Sequence, residues 1–272
     1  MSIEKIRLHL PVSLAVLAVG GILGSPIFAS VANSAPLVKV ESNIDKFAYQ
    51  VMFESPPGQS APGNSVAGGT RGVGLCDTES NLGLTLLLPE NGVGRTVDSH
   101  PTFFFYVPDS ECSYAEFSLF EEGGDEEIIY ETRFAVPNAP GIAKVTIPED
   151  LPALEVGKNY SWAVSLALDE SSKIDVRFPY AYGAIERVEP DAELRENLEN
   201  ATEIEQATAY GMKGVWHETI AILAELIDAQ PENAELKSQW EALLESEDVG
   251  LATIASEPFV ECCTFEDSEE EL

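Results

Sequence analysis

Positive charge is scarce in this sequence. Lysines and arginines number 15 against 47 aspartates and glutamates, which gives a formal net charge of -32 at pH 7. A surface this acidic repels phosphate backbones and anionic lipid headgroups. The composition therefore excludes nucleic acid as a partner. No lysine or arginine follows Lys237, and residues 265–272 are typical of a solvated acidic tail.

Catalytic and metal-binding signatures are missing as well. The chain has three histidines and four cysteines. His217-Glu218 begins a His-Glu-x-x-His pattern, but Ala221 takes the place of the second histidine. No Gly-x-Ser-x-Gly nucleophile elbow occurs. We therefore predict no catalytic residue and no cofactor, and we expect a protein that is not an enzyme. His100 is interpreted as a structural residue at a strand entrance, and His217 as a boundary residue of an amphipathic helix.

Acidic turns are the sequence feature that suggests a metal site. Residues 121–127 and Asp169-Glu170 carry enough carboxylates to suggest calcium, but neither has the twelve-residue loop with alternating ligands. Calcium at these turns is kept as an alternative to an exposed, charged hairpin turn.

Only one long uncharged run is present, and it lies near the start. Lys5 and Arg7 precede the apolar run from Leu10 to Ala29, and Ser30-Val31-Ala32 offers small residues for a signal peptidase. This layout predicts a secretory signal peptide over residues 1–32. We expect a secreted protein of the periplasm or cell surface, with no membrane span after cleavage. An uncleaved anchor is the alternative, which the prolines and glycines of the run disfavour.

The four cysteines are disulfide candidates, because an exported chain meets an oxidising space. They are Cys76, Cys112, Cys262 and Cys263. A bond between the neighbours Cys262 and Cys263 needs a strained ring. We therefore expect a long-range bond from one of them to the β region, with Cys76 as the favoured partner.

Alternation of apolar and polar residues predicts a series of short strands between residues 84 and 188. The predicted strands cover residues 84–88, 102–107, 114–121, 127–136, 142–147, 159–168 and 174–185. Regular turn signals between them favour an antiparallel β-sandwich of immunoglobulin-like architecture. In residues 127–136 one face is predicted to hold Ile128, Tyr130, Phe134 and Val136. In residues 174–185 one face is predicted to hold Ile174, Val176, Phe178, Tyr180 and Tyr182.

A helical period replaces the strand period after Asp191. Helices are predicted over residues 191–198, 204–213, 215–229 and 231–245. The run from Ala207 to Pro231 resembles one helical hairpin of the tetratricopeptide (TPR) type, which cannot make a stack alone, and we expect it to dock on the sandwich. The stripe of Trp216, Ile220, Leu223 and Trp240 is the expected docking face. The fold class is thus α+β.

The resulting organisation has six parts. They are a signal peptide (1–32), a flexible Pro/Gly/Ser-rich segment (33–75), a β-sandwich (76–189), a docked helical region (190–250), an extended Cys-containing segment (251–264) and the acidic tail (265–272). Within the second part, residues 47–53 are predicted to form one strand.

A joint pattern of short segments resembles a known family. The segments are Gly68–Gly72, Cys76, Leu86–Asn91, His100–Pro108, Leu154–Trp162, Ile185–Val188, Gly214–Trp216 and Cys262-Cys263. Together they resemble a cyanobacterial family of exported proteins described as domain of unknown function 928. The resemblance implies an envelope protein with no assigned activity, and it supplies no catalytic residues.

These observations favour a non-enzymatic binding or structural module of the periplasm or cell surface. Its partner is expected to be an envelope protein or a glycan. An envelope hydrolase that cleaves glycan or peptide with an unidentified carboxylate pair is one alternative. A calcium-dependent adhesin is the other.

Overall fold

A computed structural model describes residues 50–58, 76, 82–122, 128–136, 139–169, 171 and 179–262. These residues fall in a unit spanning Ile44–Leu272, whereas the other unit, Met1–Asn43, lies outside the described residues. The predicted signal peptide, the acidic tail and most of the 33–75 segment are likewise outside them. No described helix is long and apolar enough to cross a membrane.

The described residues form eight strands followed by four helices. The strands are β1 (Thr85–Leu86), β2 (Val93–Thr96), β3 (Thr102–Val107), β4 (Tyr114–Glu121), β5 (Ile128–Ala135), β6 (Gly141–Thr146), β7 (Asn159–Ala167) and β8 (Tyr180–Arg187). The helices are α1 (Ala192–Leu198), α2 (Glu203–Met212), α3 (Trp216–Ala229) and α4 (Ala234–Glu245). The predicted α+β class is confirmed.

Two sheets organise the strands. The smaller has the order β1-β3-β6, and the larger has the order β2-β8-β7-β4-β5. Every pairing is antiparallel except that of β2 with β8, which is parallel. A purely antiparallel arrangement is therefore wrong. Strand β2 escaped prediction because Val93-Gly94-Arg95-Thr96 has no clear alternation; its backbone pairs with β8 far along the chain.

The core lies between the two sheets. Phe103 of β3 packs its ring 5.1 Å from that of Phe117 on β4 and 4.8 Å from that of Trp162 on β7. All three side chains are fully buried. Period-2 alternation along β4 and β7 brings their apolar residues to this face, as predicted. Truncating one such aromatic side chain to alanine costs about 3–5 kcal/mol.

Two predicted faces need correction. In β5, Tyr130 and Phe134 pack against the core as predicted, with Val136 just after the strand. However, the register shifts opposite Leu119 and Phe120, so Phe120 pairs with Ile128 while Leu119 pairs with Tyr130. The irregularity breaks the alternation and leaves Ile128 exposed at 51%. In β8 the buried residues are Ala181 and those in step with it, while Tyr180 is exposed at 38%. The alternation was right there, but its apolar face is the outer one.

The disulfide also differs from expectation. Cys76 bonds Cys112, with their Cα atoms 5.4 Å apart and a sequence separation of 36. The expected bond from Cys262 or Cys263 to Cys76 is therefore wrong, because Cys112 approaches within ordinary disulfide reach of Cys76. Cys262 is also disulfide-bonded; its partner lies outside the described residues.

Local capping explains where the helices begin. Asp191 accepts from the Leu194 N–H at 2.7 Å and caps α1. At α2, Glu205 reaches back to the main-chain N–H of Thr202 at 2.7 Å, which forms a capping box. Asn233 caps α4 through the N–H groups of Glu235 and Leu236. The helices therefore begin within a few residues of the starts predicted from the sequence.

The helices pack on the β-structure through the predicted tryptophans. Trp216 is fully buried, and its indole N–H donates to the main-chain carbonyl of Leu87 at 2.8 Å. Trp240 of α4 packs its ring 6.4 Å from that of Phe104 on β3. The smaller sheet thus meets the larger sheet on one face and α4 on the other.

Residues 50–58, expected to be part of a flexible segment, pack against the helices. Val51 and Phe53 are buried, and the Phe53 ring lies edge-on to that of Trp216 at 5.0 Å. The Glu54 N–H donates to the carbonyl of Gly211 at 3.0 Å. The expected strand over residues 47–53 is not seen in its described part, residues 50–53, because these residues pair with helices and not with a sheet.

Candidate binding groove

A groove lies where α3 and α4 meet the last described residues of the chain. We name residues 256–262 the C-terminal strap. The groove has two lobes, and Phe259 of the strap and Asp228 of α3 line both. The larger lobe has a volume of about 670 Å³ and is lined by Phe104, Ile142, Lys144, Ala224, Asp228, Phe259, Val260, Glu261 and Cys262. The smaller has a volume of about 430 Å³ and is lined by Ile227, Asp228, Pro231, Lys237, Trp240, Glu241 and Ala255–Phe259.

The strap is held at the outer edge of β6. The Ile142 N–H donates to the Pro258 carbonyl at 2.7 Å, and the Val260 N–H donates to the Ile142 carbonyl at 2.9 Å. The pairing is a single parallel bridge between Ile142 and Phe259. A Cβ atom at Gly141 would lie 2.5 Å from the Pro258 carbonyl oxygen, so glycine is what allows this approach. The segment predicted to be extended, residues 251–264, is extended only in part, because residues 252–256 form turns; residues 263 and 264 lie outside the described part.

Three aromatic rings form the centre of the groove. Trp240 packs between Phe104, at 6.4 Å, and Phe259, at 4.9 Å between ring centroids. Phe104 and Trp240 are buried, whereas Phe259 is exposed at 39%. The indole N–H of Trp240 is buried without an acceptor among the described residues. An aromatic centre next to unfilled space is typical of a site that takes an apolar group.

The charges around the groove are mixed. Five of the described basic side chains form ion pairs, namely Arg95, Arg133, Lys158, Arg195 and Lys213. Arg187 donates to main-chain carbonyls. Lys144 and Lys237 form no ion pair within the described part of the chain, and each lines one lobe. In a protein so rich in carboxylates, two unpaired ammonium groups at one groove are available to an anionic group of a ligand.

A second cluster of polar side chains lies at the start of α3. His217 is 2% exposed there, so it is a buried residue and not the boundary residue that we expected. Its Nδ1 lies 2.9 Å from the Thr102 carbonyl. A carbonyl only accepts, so Nδ1 carries the proton and Nε2 is a bare acceptor, which has no partner among the described residues. A Cβ at Gly94 would overlap Nε2. Burial lowers the pKa of His217 to about 4, so the imidazole is neutral near pH 7.

Glu218 is half-buried beside the turn that follows β2. Its Oε1 accepts from the Thr96 hydroxyl at 2.7 Å and from the N–H groups of Val97 and Asp98 at 2.8 and 2.9 Å. Desolvation of the carboxyl raises the pKa of Glu218, and these hydrogen bonds oppose the rise. The contacts join α3 to the β2–β3 turn, so Glu218 positions structure, and it lines neither lobe of the groove.

The other residues singled out in the sequence have structural roles or fall outside the description. His100 Nε2 lies 3.0 Å from the Leu151 carbonyl, which confirms its interpretation as a turn residue. In the first acidic turn, Glu121 pairs with Lys158 at 2.7 Å and Glu122 accepts from Ser161 at 2.7 Å. Residues 123–127 and 170 are not described. Among the described residues no three His, Cys, Asp or Glu side chains are grouped to hold a metal.

The cysteines are split between two places. Cys76 and Cys112 are buried in their disulfide within the core. Cys262 ends the strap and lines the larger lobe, and Cys263 lies outside the described residues. Sequence reasoning missed the groove, because its residues come from β3, β6, α3, α4 and the strap. The unpaired state of Lys144 has no signal in the sequence.

Comparison with known proteins adds a family and nothing further. No curated protein and no solved structure matches the chain. A family model described as Domain of Unknown Function (DUF928) matches residues 66–259, and this span includes β1 to α4 and most of the groove. The match extends over more than half of the sequence, and the chain therefore belongs to the DUF928 family.

Proposed function

We propose that this protein is a non-enzymatic binding module of the cell envelope, exported to the periplasm or cell surface, and that the two-lobed groove is its binding site. The observation that carries the proposal is the groove itself: an aromatic centre at Phe104 and Trp240, unfilled lobes beside it, and Lys144 and Lys237 at their walls, which form no ion pair with a described residue. Concave apolar sites with a few polar groups are where proteins hold small ligands and peptide segments.

Two features support the export part of the proposal. The Cys76–Cys112 disulfide is of a kind that persists in oxidising compartments. The first 32 residues have the layout of a signal peptide. The acidic character of the chain suits a partner that is neutral or carries local positive and negative groups.

The carboxylates of the groove keep the hydrolase alternative testable. Asp228, Glu241, Glu257 and Glu261 line it. A hydrolase would need two of these carboxylates to face one scissile bond. We propose binding in preference to hydrolysis because the aromatic centre and the two lysines suit a ligand that is held in place.

The test measures binding of three separate probe pools to the purified chain by isothermal titration calorimetry. The pools are soluble glycan fragments of the cell wall, peptides of six to twelve residues, and phosphatidylglycerol vesicles. Asp228→Arg places a long cationic side chain at the residue shared by both lobes, and Glu225→Arg makes the same change of charge on the same helix away from them.

We expect one pool to bind and Asp228→Arg to weaken that binding at least tenfold, with Glu225→Arg within about twofold of the original chain. Absence of binding to all pools, or equal effects of the two variants, overturns the proposal. Mass spectrometry of the probes after incubation decides the alternative, because cleaved products would identify a hydrolase.

A further inference from the structure

Beyond the strap, none of the described strands pairs with the outer edge of β6. In an antiparallel ladder, residues alternate between those that bond the neighbouring strand and those whose N–H and C=O point away from it. Ile142, opposite Tyr106, points its main-chain groups away from β3 and bonds the strap. Lys144 is two residues further along β6 and is opposite Phe104, so its N–H and C=O point to the same outer edge.

A hydrogen bond of Phe104 supports this alternation. The Phe104 carbonyl accepts from the Leu87 N–H at 2.9 Å on the side of β1, so it does not bond Lys144. Thr146 lies opposite Thr102, and its N–H and C=O point to the same outer edge as those of Lys144. Of the described β6 residues, only Ile142 forms main-chain hydrogen bonds with the strap. Most of the β6 edge thus offers donors and acceptors to another strand.

The strap itself shows what such a strand needs. Residues 259 and 261 are two apart and lie on one face of an extended chain. Phe259 bridges to Ile142 and packs on Trp240, and Glu261 lines the larger lobe together with Lys144. Yet Glu261 and Lys144 form no ion pair, and both lobes beside Phe259 are unfilled. The strap therefore occupies the groove without using its charge or its volume.

We propose that the ligand of this groove is an extended peptide that displaces the strap and adds to β6 as a parallel strand, with a large apolar residue on Trp240 and an aspartate or glutamate two residues later on Lys144. This inference rests on the proposed binding function and names its ligand class. Main-chain pairing to the edge supplies affinity, and the two alternate side chains supply specificity. The unpaired ammonium of Lys144 is what selects an acidic residue at the second position.

The strap then acts as an internal competitor. Any fraction of molecules whose groove is closed lowers the apparent affinity by that fraction. Weakening the strap through Phe259→Ala is expected to tighten peptide binding, because the ring that anchors the strap on Trp240 is lost. A peptide that bound elsewhere would gain nothing from this change.

The experiment selects octapeptides from a random display library on the full chain and measures the affinity of enriched sequences by fluorescence anisotropy. We expect enrichment of a large apolar residue followed at the second position by aspartate or glutamate. Lys144→Glu should weaken these peptides at least tenfold and, on reselection, favour lysine or arginine at the acidic position. Arg195→Glu is the control, because it reverses an exposed basic side chain of α1 that lines neither lobe, and should change affinity less than about twofold.

A second pair of variants separates the edge from the charge. Lys144→Ala and Lys144→Pro both remove the ammonium, but only the proline also removes the N–H that points away from β3; the ladder with β3 persists in both, and circular dichroism and the melting temperature verify the fold. We expect Lys144→Pro to bind the peptide more weakly than Lys144→Ala does. Enrichment without the motif, equal effects of Lys144→Glu and Arg195→Glu, or equal binding by the alanine and proline variants overturns the peptide proposal.

The results also separate this inference from the proposed function. Glycan binding that depends on Asp228, in the absence of any selected peptide, leaves the binding module in place and rejects the peptide ligand. A dimer that Lys144→Pro abolishes would assign the edge to a second copy of this chain and would likewise reject the external peptide.

Discussion

The indole N–H of Trp216 donates to the main-chain carbonyl of Leu87 at 2.8 Å, and this hydrogen bond joins the first turn of α3 to the chain just after β1. Both residues are fully buried. The bond connects two parts of the sequence that are 129 residues apart. Together with the edge-on packing of Phe53 on the same indole, it makes Trp216 a central contact between helices and β-structure.

Trp216 should therefore stabilise the protein in two ways, through its packing and through its hydrogen bond, and one substitution tests each. Trp216→Ala is expected to lower the free energy of unfolding by about 3–5 kcal/mol through lost packing. Trp216→Phe keeps most of the ring but leaves the Leu87 carbonyl without this donor, at a cost of about 1–3 kcal/mol. Trp240→Phe is the control, because the Trp240 indole N–H has no acceptor among the described residues. Equal losses in the two Trp→Phe variants, measured by urea unfolding, would contradict this role.

The same contacts predict that β-structure and helices unfold together. Residues 76–189 and 190–250, expressed separately, should not give cooperative melting, because Trp216 and Trp240 would lose the surfaces that bury them. Differential scanning calorimetry of each fragment and of the whole chain provides the measurement. Two fragments that each melt cooperatively would show that docking is not required.

Buried His217 should make the protein sensitive to mild acid. Its pKa is lowered to about 4 in the folded state, below the ordinary value of 6.5, so the unfolded chain binds the proton more readily. The stability contribution is complete above pH 6.5 and is lost as pH falls towards 4. Between pH 7 and pH 5 the loss from this residue is about 2 kcal/mol.

The variant His217→Asn tests that expectation, because the asparagine amide can still donate to the Thr102 carbonyl but does not titrate. Urea unfolding at pH 7 and pH 5 should show a smaller loss in the variant than in the original protein. An identical pH dependence of the two proteins would exclude His217 as the cause.

Glu218 is expected to tolerate loss of charge but not loss of its oxygen. Glu218→Gln retains an acceptor for Thr96, Val97 and Asp98, whereas Glu218→Ala leaves three donors unsatisfied, at a cost of about 1–3 kcal/mol for each that water cannot reach. Since burial raises the pKa, the stability contribution of the carboxyl is complete below its ordinary pKa and is lost as pH rises through the folded value. The free energy of unfolding of Glu218→Gln should therefore increase relative to that of the original protein as pH rises. A constant difference from pH 4 to pH 8 would contradict this.

The Cys76–Cys112 bond should contribute about 3–4 kcal/mol to the free energy of unfolding, as estimated for a loop closed over a separation of 36 residues. The double variant Cys76→Ala/Cys112→Ala, compared by urea unfolding, measures it. Non-reducing peptide mapping should recover these two cysteines in one linked pair. A link from either of them to Cys262 or Cys263 would be inconsistent with the structure.

Local signals predicted most elements of the fold. The runs in β3, β4 and β7 alternate cleanly or are apolar throughout, and the helix starts coincide with capping residues such as Asp191 and Asn233. The stripe of Trp216 and Trp240 correctly indicated a docking face. The immunoglobulin-like architecture and the TPR-like character of the helical hairpin stay predictions, as do the signal peptide and the acidic tail.

Other features depend on residues that are distant in sequence. The parallel partner of β2, the irregularity that exposes Ile128, and the pairing of Cys76 with Cys112 each follow from which strands become neighbours. The His217 interpretation failed for the same reason, since only the approach of Gly94 and Thr102 buries its ring.

The sequence by itself determined the class of elements, the acidic surface and the absence of a recognisable catalytic motif, because these depend on composition and on spacing within a few residues. Tertiary structure decided the groove. Phe104, Lys144, Asp228 and Phe259 meet only when β3, β6, α3 and the strap pack together. Whether a lysine has an ion pair, and which edge of a strand is open, are properties of three-dimensional neighbours that no local pattern encodes.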